Sequence, residues 1–65
     1  MNRYEVIVLR YGRWFDEEEI VVAKGQVMEQ MEISMETYKK LRGPNDISIR
    51  LVDVEKGDTI EEHRF

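Results

Sequence analysis

Gln26–Leu41, reading QVMEQMEISMETYKKL, determines how many strands this chain can form. As one helix, it places its large apolar side chains on a single stripe, and its Met, Glu, Gln and Lys residues favour helices. As a strand followed by a helix, it divides at Ser34, a preferred helix N-cap residue, before a short helix over Met35–Arg42. We favour the second interpretation because a serine in the middle of a helix is the poorer choice. Gln26–Ile33 is then a strand.

Strands are predicted on both sides of this segment. Upstream, Tyr4–Leu9 (YEVIVL) is apolar on both faces, as is typical of a central strand, and Ile20–Ala23 follows it. Downstream, the apolar residues of Asp46–Val54 occupy odd positions as far as Leu51 and even positions from Val52. Such a change of strand face indicates a bulge or a bend. Thr59–Phe65 is rich in charge and has the character of an edge strand that resists aggregation.

Glycines mark the expected ends of these elements. Gly12 reverses the chain after the first strand, and Lys24–Gly25 is expected to close a second hairpin before Gln26. The same type of turn recurs at Glu55–Asp58. Gly43–Pro44 ends the helix, because glycine closes a helix and proline cannot continue it.

The expected fold class is therefore α+β. Residues 1–65 should form a small single domain of mostly antiparallel β structure, with about five strands and one short helix in the order βββαββ. This order resembles the OB-fold, a small five-stranded barrel with a helix before its fourth strand. An SH3-like barrel, or an open curved sheet crossed by one helix, would give the same pattern of elements.

Size and composition limit the classes of function. Fourteen acidic and ten basic residues give a net charge of −4, which is too acidic for non-specific binding to a phosphate backbone. There is no apolar run long enough to cross a membrane, and MNRYEV enters a strand at once, so we expect no signal peptide and a cytoplasmic location. A chain this short buries only about 60% of its unfolded surface. With no cysteine for a disulfide, a homodimer or another partner would supply extra stability.

Residues suited to catalysis or metal binding are few. His63 is the single histidine and lies near the end of the sequence, and no glycine-rich phosphate loop is present. The four carboxylates of Asp16–Glu19 lack the spacing and the glycine turn of a calcium loop, and we expect them in a loop or at an exposed strand start. We therefore expect no enzymatic activity, no catalytic residues, no cofactor and no metal.

Arg10–Phe15, reading RYGRWF, has a composition that points to binding. It holds the only tryptophan and three of the six aromatic residues, and Tyr, Trp and Arg dominate binding hot spots. We expect Tyr11 and Arg13 to be exposed at the turn. Trp14 and Phe15 either fold inward and fill the small core, which we favour because so short a chain needs its large aromatics for burial, or help to anchor a partner. The predicted partner-binding residues are Tyr11, Arg13, Trp14, Glu17, Glu18 and Glu19.

The function that these residues favour is a non-enzymatic protein–protein interaction module with a larger protein or complex as its partner. In size, in its lack of catalytic residues and in its dense mix of charges, the chain resembles the small proteins that phages and mobile elements encode to inhibit host machinery, anti-CRISPR proteins among them. That resemblance implies a stoichiometric inhibitor that blocks a surface, in particular a nucleic-acid-binding one that favours carboxylates. Glu17–Glu19, Glu29 and Glu32 would be the acids to test.

The alternative is a small barrel that binds single-stranded nucleic acid. Tyr11 would stack on a base, while Arg10, Arg13 and Arg50 would pair with phosphates if they share one face. The net charge of −4 and the acidic run beside the first hairpin argue against this alternative.

Overall fold

The structure, a computed structural model, describes residues 2–65. Its elements follow in the order ββαββ: β1 (Tyr4–Tyr11), β2 (Glu17–Gly25), α1 (Met28–Lys40), β3 (Asp46–Asp53) and β4 (Asp58–Arg64). The four strands are antiparallel and lie in the spatial order β2-β1-β3-β4. The expected α+β class with a small antiparallel sheet is confirmed.

Gln26–Leu41 contains one helix, α1, and no strand, so the strand predicted over Gln26–Ile33 and the order βββαββ with about five strands are wrong. Ser34 lies in the middle of α1, and the N-cap position is held by Val27, which makes no side-chain capping bond. Met31 and Met35, one helical turn apart, are both buried against the sheet. Burying a methionine contributes about 1.5–3 kcal/mol, more than the roughly 1 kcal/mol of a good cap, so packing outweighs the local signal.

Lys24–Gly25 ends β2 and leads into α1 instead of closing a hairpin. Gly25 leaves room for the end of the Met31 side chain, because a Cβ there would lie 2.7 Å from the Cε atom of Met31. Without a third strand before the helix, the sheet formed by residues 2–65 stays open, with β2 and β4 at its edges. It is not the OB-like or SH3-like barrel that the predicted order allowed.

The core lies between α1 and one face of the sheet, where the helix packs across β1, β2 and β3. Val6 and Val8 of β1 point to the helix, as do Ile49 and Leu51 of β3, because alternate residues of a strand face the same side. The buried residues of the core cluster are Tyr4, Val6, Val8, Met31, Met35, Ile49 and Leu51.

The hairpin at Glu55–Asp58 follows the prediction closely. The turn at Glu55–Asp58 joins β3 to β4, and Gly57 has a positive φ of 73°, a conformation that glycine adopts without strain. β4 is exposed along its whole length, as expected of a charged edge strand. A bulge lies between Leu51 and Val52, where the apolar residues of β3 change from one face of the strand to the other. Leu51 pairs with Glu61 and Val52 with Thr59, so the extra residue, Ile60, belongs to β4.

Asp53 fixes the start of this turn. Its carboxylate is buried and accepts hydrogen bonds from the backbone amides of Glu55 (3.1 Å) and Lys56 (3.2 Å) and from Arg3 Nη2 (3.2 Å). Burial alone would raise the pKa of Asp53, but the bonds from the Lys56 amide, from Arg3 and from the Glu55 amide outweigh it and lower that pKa. The same hydrogen bond to Asp53 favours the charged guanidinium and so raises the pKa of Arg3.

Candidate partner-binding site

The loop between β1 and β2 closes through Gly12 and Asp16, with the three residues Arg13, Trp14 and Phe15 between them. The backbone N–H of Phe15 donates to the carbonyl of Gly12 (3.1 Å), and the N–H of Gly12 donates to the carbonyl of Asp16 (2.6 Å). Phe15 has a φ of 61°, in the left-handed region. A three-residue hairpin loop ends in such a residue, and glycine is the usual choice for it.

Trp14 and Phe15 point into solvent, so the favoured interpretation, that they fill the core, is wrong. Trp14 is 84% exposed and Phe15 is 86% exposed. The reason is the length of the pairing: β1 and β2 stay paired as far as Tyr11 and Glu17, which leaves both aromatics at the tip of the hairpin. Tyr11 and Arg13 are exposed, as predicted.

Phe15 is an unfavourable residue for its position. A left-handed conformation costs a residue with a Cβ about 1–2 kcal/mol, and for a bulky residue it is a genuine outlier. Backbone strain of this kind concentrates at functional sites. With 86% of its surface exposed, the Phe15 side chain contributes nothing to the core in return. Its chemistry is therefore available for contact with another molecule.

Two neighbouring grooves lie beside the hairpin. The larger, about 560 Å³, runs between the β1–β2 loop and the segment that leads from α1 to β3. The smaller, about 300 Å³, lies between the end of α1 and the sheet, and Arg10 lines both. The apolar residues of the smaller groove are Val8, Ile20, Val22, Tyr38 and Leu41.

The β1–β2 loop, the last turn of α1 and the end of β4 meet at one end of the molecule. The Tyr11 N–H donates to the carbonyl of Asn45 (2.9 Å), and the Phe65 N–H donates to the carbonyl of Ile47 (3.0 Å). The Arg42 guanidinium lies 4.8 Å from the centre of the Phe65 ring. We call residues 10–18, 38–46 and 63–65 the hairpin end.

The hairpin end differs in composition from the rest of the chain. Its aromatic residues are Tyr11, Trp14, Phe15, Tyr38 and Phe65, five of the six in the sequence. Its basic residues are Arg10, Arg13, Lys39, Lys40, Arg42 and Arg64, and its acidic residues are Asp16, Glu17, Glu18 and Asp46. Six bases and four acids give it a formal charge of +2, whereas the other four bases and ten acids of the chain give −6.

The acidic run does lie at the start of a strand, β2, but its carboxylates do not form one surface. Glu18 accepts a hydrogen bond from Arg10 Nε (3.1 Å) on the helix side of the sheet. Glu19, one residue later and so on the opposite face, accepts one from Arg50 Nη2 (2.9 Å). Glu29 and Glu32 lie on the outer surface of α1, apart from both. The structure therefore does not bring the predicted acids together.

The residues predicted to contact nucleic acid do not share a face either. Arg10 and Arg50 lie on opposite faces of the sheet, and each pairs with a glutamate of β2. Tyr11 lies on the same face as Arg50, by the alternation of the paired strands. Only Arg13 remains at the tip, where it makes no ion pair within residues 2–65.

The sequence predictions missed the contribution of the helix end. Tyr38 and Leu41 line the smaller groove, and Leu41 is 69% exposed. Their spacing of three residues places them on one helix face, a signal that the one-helix interpretation of Gln26–Leu41 already contained.

Comparison with family models, with curated proteins and with solved structures gives no significant match to this chain. Within residues 2–65, no group of three or more His, Cys, Asp or Glu side chains is placed to hold a metal ion. None of the helical residues in that range forms a segment long and apolar enough to span a membrane.

Proposed function

We propose that this chain is a non-enzymatic protein–protein interaction module that binds a larger protein through the hairpin end. The observation that carries the proposal is the exposure of Trp14 and Phe15, at 84% and 86%. Both lie on a loop in which Phe15 adopts an unfavourable left-handed backbone conformation. Burying a large apolar side chain in a partner contributes about 1.5–3 kcal/mol. Tryptophan and arginine are also the residue types whose truncation most often weakens a complex strongly.

Such a module acts by occupying a surface of its target. A stoichiometric inhibitor of a host complex, of the kind encoded by phages and mobile elements, is the particular form that we propose. The projecting hairpin supports this form, because a narrow loop with two aromatic side chains can enter a cleft that a flat sheet face cannot. The acidic residues of β2 would then adjust the rate and the orientation of approach.

The test is affinity capture from host lysate with the wild-type chain and three variants. Trp14→Ala and Phe15→Gly remove the two exposed aromatic side chains, and Ile33→Ala removes an exposed apolar side chain on the outer face of α1. We expect the two hairpin variants to lose a protein that wild type and Ile33→Ala retain, with unchanged circular dichroism. Equal capture by all four chains would show that the hairpin is not the binding site.

Single-stranded nucleic acid is a second candidate, favoured by the net charge of +2 and the five aromatic residues of the hairpin end. Bases stack on aromatic side chains, and arginines pair with phosphates. Titration of a labelled single-stranded DNA at low salt tests this candidate, since electrostatic attraction is strongest there. No binding under those conditions would remove it.

A further inference from the structure

We infer that the partner segment recognised at the hairpin end is an acidic peptide stretch that carries a large apolar side chain. This inference rests on the proposed function and specifies the chemistry of the partner. Its apolar side chain would enter the smaller groove, and its carboxylates would pair with the basic residues at this end of the molecule.

The available cations are concentrated here. Six basic residues take part in no ion pair within residues 2–65, namely Arg13, Lys24, Lys40, Arg42, Lys56 and Arg64. Four of the six belong to the hairpin end, whereas the remainder of the chain carries −6. An acidic segment is therefore attracted to this end and repelled by the other, which fixes its orientation.

The smaller groove supplies the apolar contact. Its volume of about 300 Å³ is at the lower limit of ligand pockets, and Val8, Ile20 and Val22 form its sheet side. Tyr38 of α1 and Leu41, at the C-cap of that helix, border it on the other side and stay partly exposed. A leucine or an aromatic side chain that enters the groove would cover these two residues.

A peptide fits the hairpin end better than a nucleic acid does. A nucleic acid presents one phosphate per nucleotide and needs a continuous basic track along its backbone. The hairpin interrupts any such track, because Asp16 and Glu17 follow directly after the exposed aromatics. The apolar groove also has no counterpart in nucleic-acid recognition by phosphate pairing, whereas it suits a protein side chain.

The experiment is selection of binders from a random 12-residue peptide library, followed by sequencing and by anisotropy titration of labelled selected peptides. Each selection is run on wild type, on Arg13→Glu with Arg42→Glu, and on a Lys24→Glu with Lys56→Glu control that makes the same charge change away from the hairpin end. We expect Asp and Glu together with Leu or aromatic residues at twice their input frequency or more. The selected peptides should bind the hairpin-end variant at least tenfold more weakly, and the control variant as tightly as wild type.

Three results would overturn the inference: selection of neutral or basic peptides, no enrichment, or tighter binding of a 12-nucleotide oligothymidylate than of the best selected peptide. The third result would favour the nucleic-acid candidate. The affinity capture with Trp14→Ala remains a separate readout. If that capture succeeds while the peptides selected are not acidic, the interaction module stands and only the chemistry assigned to its partner is wrong.

Discussion

Arg50 of β3 reaches across the face of β1 to Glu19 of β2, with 2.9 Å between Nη2 and Oε1. In the pairing register, Arg50 lies beside Ile7, on the sheet face that the helix does not cover. Ile7 is nonetheless only 8% exposed. We therefore expect the aliphatic part of the Arg50 side chain to cover Ile7.

Arg50→Ala should destabilise the protein more than Glu19→Gln does. Exposed ion pairs contribute about 0–1 kcal/mol, so Glu19→Gln should cost less than about 0.5 kcal/mol. Arg50→Ala also uncovers Ile7 and should cost about 1–2 kcal/mol, because a long charged side chain protects apolar surface with its stem. Urea unfolding followed by far-ultraviolet circular dichroism measures both losses. Equal losses would show that only the charges matter.

Phe15→Gly should stabilise the protein while it weakens partner binding. Glycine relieves the left-handed strain of about 1–2 kcal/mol but adds freedom to the unfolded chain, so we expect a net gain of up to about 1 kcal/mol. Trp14→Ala is the matched control, with a stability change within about 0.5 kcal/mol, since surface substitutions usually have small effects. A clear loss of stability in Phe15→Gly would mean that the side chain packs against the protein in solution.

Met35→Ala should unfold most of the protein, whereas Ile33→Ala should leave it intact. Met35 is 1% exposed and Ile33 is 67% exposed, although the two lie two residues apart on α1. A methionine-to-alanine change in a core costs about 2–5 kcal/mol, a large part of the stability of a domain this small. Thermal unfolding of the two variants checks the orientation of the helix. Similar unfolding temperatures would contradict it.

The Asp53 carboxylate should make stability fall in acid. Because its folded-state pKa is lowered, its contribution is fully present above the unfolded pKa of about 3.9 and is lost as pH falls through the lower folded value. Urea unfolding at pH 7 and pH 3 should show a smaller pH-dependent loss for Asp53→Asn than for wild type. Asp58→Asn, at the other end of the same turn, is the control and should behave like wild type.

Much of the fold could be predicted because its signals are local. The first strand, the Asp46–Val54 strand and the turn at Glu55–Asp58 are encoded by β-branched runs and by one glycine. Gln26–Leu41 was predicted wrongly because Ser34 is a local capping signal, and the decision depends on which methionines the sheet buries. That burial is a property of the whole structure.

The site was predicted only in part, for a related reason. The exposure of Tyr11 and Arg13 follows from a turn at Gly12. The exposure of Trp14 and Phe15 depends on how far β1 and β2 remain paired, and no glycine marks the left-handed position. The last turn of α1 and the end of β4 lie near the hairpin because of the spatial order of the strands. That order cannot be deduced from the pattern of apolar and polar residues.

Trp14 has a practical consequence as the single tryptophan of the chain. Because its indole is 84% exposed in the folded state, it is surrounded by water both before and after unfolding. Its emission wavelength should therefore barely change in a denaturant titration and would be a poor monitor of unfolding. A blue shift of its emission on adding another molecule would instead report that the hairpin tip has lost contact with water. Trp14 fluorescence can therefore monitor partner binding without an added label.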